Sequence, residues 1–242
     1  MNEAVERLAR WIGEAENIVF FGGAGVSTES GIPDFRSAHG IYAGAQGRSY
    51  EEMLSHGYFT RHTDAFWAFY KKVMLYPEAR PNAAHLALAR LEAQGRLKAV
   101  ITQNIDGLHQ AAGSRKVFEL HGTVHKNSCM RCGEKYGLNA VLAQEGTPRC
   151  HCGGMIKPDV VLYGEPLDDD VITQALSAIR KCDLLIVGGT SLVVHPAAGF
   201  ITYRRADARL VLINRDETAY DEEADLVIRH NIAAVLDEAV GK

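Results

Sequence analysis

No stretch of the chain is apolar for long enough to cross a bilayer as a helix, which takes about 20 residues. The first residues, Met1-Asn2-Glu3-Ala4-Val5-Glu6, also lack the basic start and apolar core of a secretory signal. The expected location is therefore the cytoplasm, with no membrane as partner. Positive charge is not in excess either: Lys and Arg number 26 against 30 Asp and Glu, a formal net charge of -4. That balance excludes general nucleic-acid binding and a polyanionic substrate held by bulk charge. Cysteines are too few for a disulfide framework; of the five, four fall in two close pairs, which suits a metal site in a reducing compartment. Internal repeats and low-complexity segments are missing. What remains, 47% hydrophobic and 23% charged over 242 residues, suffices for one soluble α/β domain with an insertion.

The chain is organised around residues 17–36. Residues 18–21, Ile-Val-Phe-Phe, are a short apolar run cut off by Gly22 and Gly23, and so read as a buried strand entering a tight turn. Gly25 lets the backbone approach a ligand. Ser27 and Thr28 offer hydroxyls as the chain turns into a helix whose first amides favour phosphate. The dinucleotide fingerprint G-x-G-x-x-G would need glycine where Thr28 stands, and no acidic residue closes a second strand at the usual distance. A glycine turn kept only for packing is the plainer reading. Against it, Gly31-Ile32-Pro33 forms a rigid kink, and Asp34-Phe35-Arg36 beyond it carries more chemistry than packing requires.

Val5, Leu8, Ala9 and Ile12 recur at helical spacing, with Trp11 beside them as a packing residue. Residues 37–81 are irregular. Gly40, Gly44 and Gly47 mark a mobile loop, followed by a helical insertion holding Tyr58, Phe59, Phe66, Trp67, Phe69 and Tyr70. Asn82 opens a helix with Ala83, Leu86, Ala87 and Leu91 on one side, ended by Gln94-Gly95, and residues 97–101 return as a strand. Helix then strand recurs at 168–180 with 184–187, and at 196–205 with 210–213. Such alternation predicts a mostly parallel sheet with helices on both faces. Cys182 reads as a small buried residue. Ligands in such sheets bind beyond the carboxyl ends of the strands, where residues 22–28, 102–106, 188–191 and Asn214 would converge on a crevice of dinucleotide size.

Cys129-Met130-Arg131-Cys132 and Cys150-His151-Cys152 flank residues 133–149, with Gly133, Gly153 and Gly154 as knuckle turns. Four thiolates so spaced suit tetrahedral Zn²⁺ in a closed, structural site with no open position for water. Redox or disulfide use of the cysteines is the alternative. His151 is a substitute ligand in principle; with four cysteines at hand it is expected outside the first shell.

Past the strand at 97–101, Gln103, Asn104 and Asp106 crowd into one turn around Ile105, and serve equally well as site or as turn residues. His121 follows the strand 117–120 and precedes Gly122, facing the same crevice, where an imidazole can act as a general base. His109 and His125 are its rivals.

Gly23-Ala24-Gly25-Val26-Ser27-Thr28 with Gly31-Ile32-Pro33-Asp34-Phe35-Arg36 resembles the signature of the sirtuins, the NAD-dependent protein deacylases. The likeness continues through Thr102-Gln103-Asn104-Ile105-Asp106-Gly107-Leu108-His109, His121-Gly122, the cysteine pairs, Gly188-Gly189-Thr190-Ser191-Leu192 and Asn214. These blocks keep the family's order from about residue 18 to residue 232. One departure is C-x-C in the second pair, where the family more often has C-x-x-C.

The resemblance implies a Rossmann-like doubly wound parallel sheet with a small zinc-ribbon module and a helical insertion. The whole of 1–242 is then one catalytic domain: an NAD-binding part over about 1–36, 82–123 and 160–242, an insertion over 37–81 and a zinc module over 124–159. NAD is the implied co-substrate, held by Gly23, Ala24, Gly25, Thr28, Asp34, Phe35, Arg36, Gln103, Asn104, Ile105, Asp106, His121, Gly189, Thr190, Ser191, Asn214 and Ile232. His121 is the implied base, with Asn104 orienting a ribose hydroxyl or water. Structural Zn²⁺ falls to Cys129, Cys132, Cys150 and Cys152. The implied partner is an acyl-lysine protein or peptide, lying as an added strand against Val160, Val161, Tyr163, Gly164, Glu165 and Val193, with Tyr70 in the acyl pocket. Products are deacylated lysine, nicotinamide and an O-acyl-ADP-ribose, and the expected state is a monomer. Sirtuins that prefer succinyl-lysine carry a tyrosine and, three residues on, an arginine; here Tyr70 is followed at that distance by Val73, so neutral acyl groups are expected. Mono-ADP-ribosyl transfer to protein is the alternative reaction. A zinc-ribbon interaction module is the alternative of another class, although its Lys126, Arg131, Lys135, Arg149 and Lys157 scarcely outweigh Glu134, Glu145 and Asp159.

Overall fold

The computed structural model describes residues 3–35, 40 and 49–241. Arg36 and the stretch with Gly44 and Gly47 lie outside the described residues. The strands in chain order are β1 (Ile18–Gly22), β2 (Leu97–Thr102), β3 (Val117–Glu119), β4 (Gly122–Cys129), β5 (Lys135–Gly137), β6 (Ile156–Val160), β7 (Leu184–Gly188), β8 (Arg209–Ile213) and β9 (Leu226–Ile228). The helices are α1 (Glu3–Glu14), α2 (Tyr50–Met53), α3 (His56–Arg61), α4 (Thr63–Val73), α5 (Ala83–Ala93), α6 (Leu108–Ala111), α7 (Leu138–Leu142), α8 (Asp169–Lys181) and α9 (Ile232–Val240).

All five residues of β1 are buried, and side chains alternate between the two faces of a strand. Ile18 and Phe20 accordingly enter one core cluster, under α1, α5 and α9, while Val19 and Phe21 enter another, under α8. Leu184 and Ile186 against Leu185 and Val187 divide in the same way on β7. Both faces of the sheet are thus covered, which is why β1 and β7 read as unbroken apolar runs. The strand order is β3-β2-β1-β7-β8-β9, with each pairing parallel. This is the Rossmann order, and it reverses direction between β1 and β7, where Gly22 pairs with Gly188. Loops leaving the carboxyl ends of these two strands therefore open a crevice.

Three local expectations are corrected. After Gly23 the chain makes two short 3₁₀ turns, Ala24–Val26 and Thr28–Ser30, rather than a helix, and Gly31 closes them with φ of 81°. Leu86 is 45% exposed; Ala84, His85, Ala87, Leu88 and Leu91 form the buried side of α5 instead. The segment after Pro196 is a 3₁₀ helix, Ala197–Tyr203, tightened by bonds of the i to i+3 type such as Gly199 N–H to Pro196 O. Trp11 is half-buried, and the Arg209 guanidinium sits 4.8 Å from its ring centre. Cys182 is fully buried, as its sequence context suggests.

A third core lies apart from the sheet. Tyr58, Phe59, Phe66, Trp67, Phe69 and Tyr70 from α3 and α4 pack with Val124, Cys129, Leu138, Val141, Cys150 and Ile156. The latter belong to an antiparallel sheet, β5-β4-β6, to α7 and, for Cys150, to the loop before β6. Helical insertion and cysteine-bearing unit therefore share one apolar interior. Lys71 fastens them further, its Nζ donating to Gln144 O and to Gly146 O at 2.9 Å. Among the described residues no helix is long and apolar enough to cross a membrane.

Candidate functional site

A cleft of about 1010 Å³ opens at the carboxyl ends of β1, β2, β7 and β8. It collects Ala24, Gly25, Thr28, Asp34 and Phe35 from the loop after β1. Gln103, Asn104, Ile105 and Asp106 enter from the loop after β2, and His121 from the end of β3. Gly189, Thr190, Ser191, Asn214 and Ile232 complete one wall, and Tyr70, Val160, Val161, Tyr163, Gly164 and Glu165 another. Two of the described candidates do not line it. Gly23 is buried beneath, where a Cβ would meet Gln103 Oε1 and Thr190 Cβ at 2.8 Å, and Val193 is 54% exposed, its neighbour Val194 facing the cleft. Gly25 has a use the sequence does not reveal: a Cβ there would stand 2.7 Å from Gly189 Cα, and its N–H donates to Gly189 O at 2.8 Å. The two loops touch backbone to backbone.

Several polar side chains here are held by neighbours. Ser27 Oγ donates to Asp106 Oδ2 at 2.6 Å and accepts from Asn104 Nδ2 at 3.0 Å, and Asp106 Oδ1 accepts from Leu108 N–H at 2.9 Å. Thr190 Oγ1 donates to Gln103 Oε1 at 2.8 Å, while Thr190 N–H donates to Asn214 Oδ1 at 3.0 Å. Both carboxamide oxygens are thereby spoken for. Gln103 Nε2 and Asn214 Nδ2 are buried with no partner, and each belongs to a residue lining the cleft. Buried donors left unmet are costly, so this wall fits a ligand rich in acceptor oxygens, such as the ribose and phosphates of a dinucleotide.

His121 Nδ1 lies 3.0 Å from Gln103 O. A carbonyl only accepts, so Nδ1 carries the hydrogen and Nε2 keeps its lone pair. Burial lowers the His121 pKa, with the Gln103 carbonyl pulling the other way. The ring is therefore a neutral base at neutral pH. Its two rivals have other duties: His125 Nε2 donates to Asp106 O at 2.9 Å, and His109 is buried against His85, ring centres 4.7 Å apart.

That second histidine pair carries an expectation of its own. Burial lowers His85 to about 4, against a smaller raising effect from Asp106. Burial and the neighbouring His85 lower His109 to about 3. In the unfolded chain both rings protonate near 6.5, so between about pH 6.5 and 4 the unfolded state binds more protons than the folded one. Stability should fall as pH drops through that window and lose this dependence above it. Thermal melts at a series of pH values should show the slope, and His109→Leu should flatten it; an unchanged slope would mean that the pair is not the cause.

The sulfurs of Cys129, Cys132, Cys150 and Cys152 all lie within 4.8 Å of one another. Two of the edges, Cys129 to Cys152 and Cys132 to Cys150, measure 3.6 and 3.5 Å. Zn–S bonds of about 2.3 Å in a tetrahedron put sulfurs about 3.8 Å apart, so the donor set and its spacing fit Zn²⁺. His151 stands outside this group, its Nδ1 3.3 Å from the Tyr136 hydroxyl, which donates to Cys150 Sγ at 3.0 Å. Gly154 is required here, because a Cβ would come within 2.7 Å of Cys129 Sγ.

Residues that sequence reasoning left out also line the cleft, among them Arg215, His230 and Asn231. The carboxyl-end rule, extended to β9, would have pointed to the last two.

A model of the Sir2 family matches residues 23–196. The NAD-dependent protein deacetylase of Clostridium acetobutylicum is 54% identical over 242 residues, covering 98% of each chain. That of Sulfolobus acidocaldarius is 46% identical over 246 residues, covering 98% of this chain and 94% of its own. Among solved structures, a Sir2 complex with p53 peptide and NAD+ is 38% identical with a TM-score of 0.85, covering 98% of this chain and 96% of that one. Another, with deacetylated p53 peptide and 3'-O-acetyl ADP ribose, is 37% identical with a TM-score of 0.88 and covers 97% and 96%.

Proposed function

The chain belongs to the Sir2 family, and on that premise we propose that it removes acetyl and other neutral acyl groups from protein lysines at the expense of NAD, with a structural Zn²⁺. The observation that carries this reading is the meeting, in one cleft, of an imidazole with an open Nε2 and two buried carboxamide donors without partners. NAD bound in this cleft would supply an electrophilic ribose carbon, with nicotinamide as its leaving group, and the ADP-ribose that accepts the acyl group.

The remaining work falls to side chains. Ala24, Gly25 and Thr28, with Ser191, receive the phosphates, and Asn214 Nδ2 meets an oxygen of the adenosine ribose. Gln103 Nε2 and Asn104 serve the nicotinamide ribose. Asp106, fixed by Ser27 and the Leu108 amide, reads the nicotinamide carboxamide. Phe35 covers the ribose, and Asp34 holds the loop and the cofactor. His121 Nε2 takes the proton of a ribose hydroxyl as that hydroxyl adds to the acyl carbon; a water then adds there, the bond to the lysine nitrogen breaks, and the free amine leaves with the acyl group held on ADP-ribose.

For the peptide, Val161, Leu162 and Tyr163 already commit their N–H groups to His121 O, Glu165 Oε2 and Leu54 O. Strand-like pairing with substrate then centres on Gly164 and Val193, on either side of the acyl-lysine. Main-chain pairing implies a loose sequence preference.

The test is incubation with NAD and a panel of acyl-lysine peptides, reading nicotinamide, peptide and ADP-ribose adduct by mass. ADP-ribose bound to protein would replace this reading with mono-ADP-ribosyl transfer, and no nicotinamide release with an interaction role. The same panel tests the acyl pocket. Tyr70 and Val73 line the cleft with Leu54, Met74 and Val124, whereas Lys72 is exposed. The Tyr70 hydroxyl is buried without a partner, and burial pushes its pKa up, so this region disfavours negative charge. Acetyl-lysine should exceed succinyl-lysine by at least about tenfold in kcat/KM, roughly 1.4 kcal/mol. Val73→Arg should raise succinyl removal; equal rates in the parent protein would sink the assignment of this pocket.

A further inference from the structure

We infer that Asn82 is a positioning residue for the cofactor, fastening the loop after β1 to the first turn of α5; this rests on the reading of that loop as the NAD site. Asn82 stands outside the cleft, yet its carboxamide is used almost completely. Nδ2 donates to Val26 O at 2.8 Å and to Ser30 Oγ at 3.0 Å, the last residues of the two 3₁₀ turns. Oδ1 accepts from Ala84 N–H at 2.9 Å and so caps α5. Val26 O is an acceptor only, so the nitrogen must face the loop and the oxygen the helix; the orientation is fixed by chemistry.

Asn82 is itself held. Its N–H donates to His85 Nδ1 at 3.3 Å, completing a reciprocal cap, and His85 is fully buried against His109 on α6. The neutrality of that histidine pair keeps Nδ1 an acceptor. Between the two anchored carbonyl and hydroxyl positions lies Ser27, whose Oγ aligns Asp106 and Asn104. A carboxamide 55 residues downstream of Ser27 therefore sets where the phosphate-facing turns stand relative to the residues that would read the nicotinamide end.

The cap and the fastening can be separated by substitution. Asp and Ser cap helices about as well as Asn. The carboxylate introduced by Asn82→Asp has no N–H to offer Val26 O, and the side chain introduced by Asn82→Ser is too short to reach it. Both variants keep the cap and should melt above Asn82→Ala. By calorimetry, both should bind NAD roughly tenfold more weakly, the worth of about 1.4 kcal/mol. In turnover the KM for NAD should rise by a similar factor, with the KM for acyl-peptide unchanged. Asn82→Ala should lose stability as well as NAD affinity.

Parent protein that binds no NAD would remove the cofactor reading on which the inference stands. Parent protein that binds NAD while Asn82→Asp and Asn82→Ser bind it equally well would overturn the inference alone. So would a loss of affinity that simply tracks the loss of melting temperature across the three variants, because Asn82 would then act only through the helix cap.

Discussion

Replacing His121 by alanine should lower kcat roughly 10²- to 10⁴-fold, the usual share of a general base, while NAD binding stays largely intact. The geometry separates the two effects. Nδ1 is occupied by the Gln103 carbonyl, so the nitrogen left open is Nε2, and the unpartnered donors of the cleft wall belong to Gln103 and Asn214 instead. The same arrangement fixes the pH dependence. Burial holds His121 below its ordinary value, so the ring is unprotonated at neutral pH and remains so on mild acidification. kcat/KM should decline only as pH drops below the usual histidine range, and this acid limb should vanish in the alanine variant. Stopped assays across pH with saturating peptide and NAD titrated calorimetrically measure both. A folded variant that turns over normally would move the role to another group.

Removing zinc should unfold or aggregate the protein, and Cys129→Ser should behave likewise. Structural Zn²⁺ contributes roughly 10 kcal/mol or more to the modules that it closes, comparable to the whole stability of a domain. Here the ligands reach into the third core: Cys129 and Cys150 are buried beside Leu138 and Ile156, against the aromatic rings of α3 and α4. Four thiols brought within 4.8 Å without a cation would have to separate, and Tyr136 would lose the acceptor for its hydroxyl. Chelation followed by circular dichroism, with metal content by elemental analysis, gives the readout. A metal-free protein that kept its melting curve and full turnover would show that the cluster holds nothing together.

Much of this architecture is visible along the chain because its signals are local. Residues 18–22 and 184–188 are apolar without interruption, since both faces of their sheet are covered, and a glycine ends each run. The cysteine pairs are equally plain. Leu86 misled because a helix can satisfy its apolar stripe with Ala84, Ala87 and Leu88 and spare a leucine to solvent. The 3₁₀ turns after Gly23 escaped because what shapes them is Gly189, more than 160 residues away, not their own propensity. His121 was separable from His109 and His125 in the sequence only by resemblance. In three dimensions the separation is physical: one ring is sealed in the core, one is tied to the Asp106 carbonyl, and one offers a lone pair to the cleft.

The third core also decides what can be exchanged between relatives. Two excursions leave the sheet, one between β1 and α5 and one between β3 and α8, and neither closes its own interior. Phe66, Trp67 and Tyr70 on the first are covered by Val124, Leu138 and Ile156 on the second, with Lys71 bonded across the seam. Both also line the cleft, through Tyr70 and Val73 on one side and Val124 and Leu138 on the other. They are a single packing unit carried in two pieces. A chimaera that transplants the helical insertion alone inherits a mismatched seam, whereas one that moves both segments together carries that wall of the cleft with it and leaves the parallel sheet of the host intact.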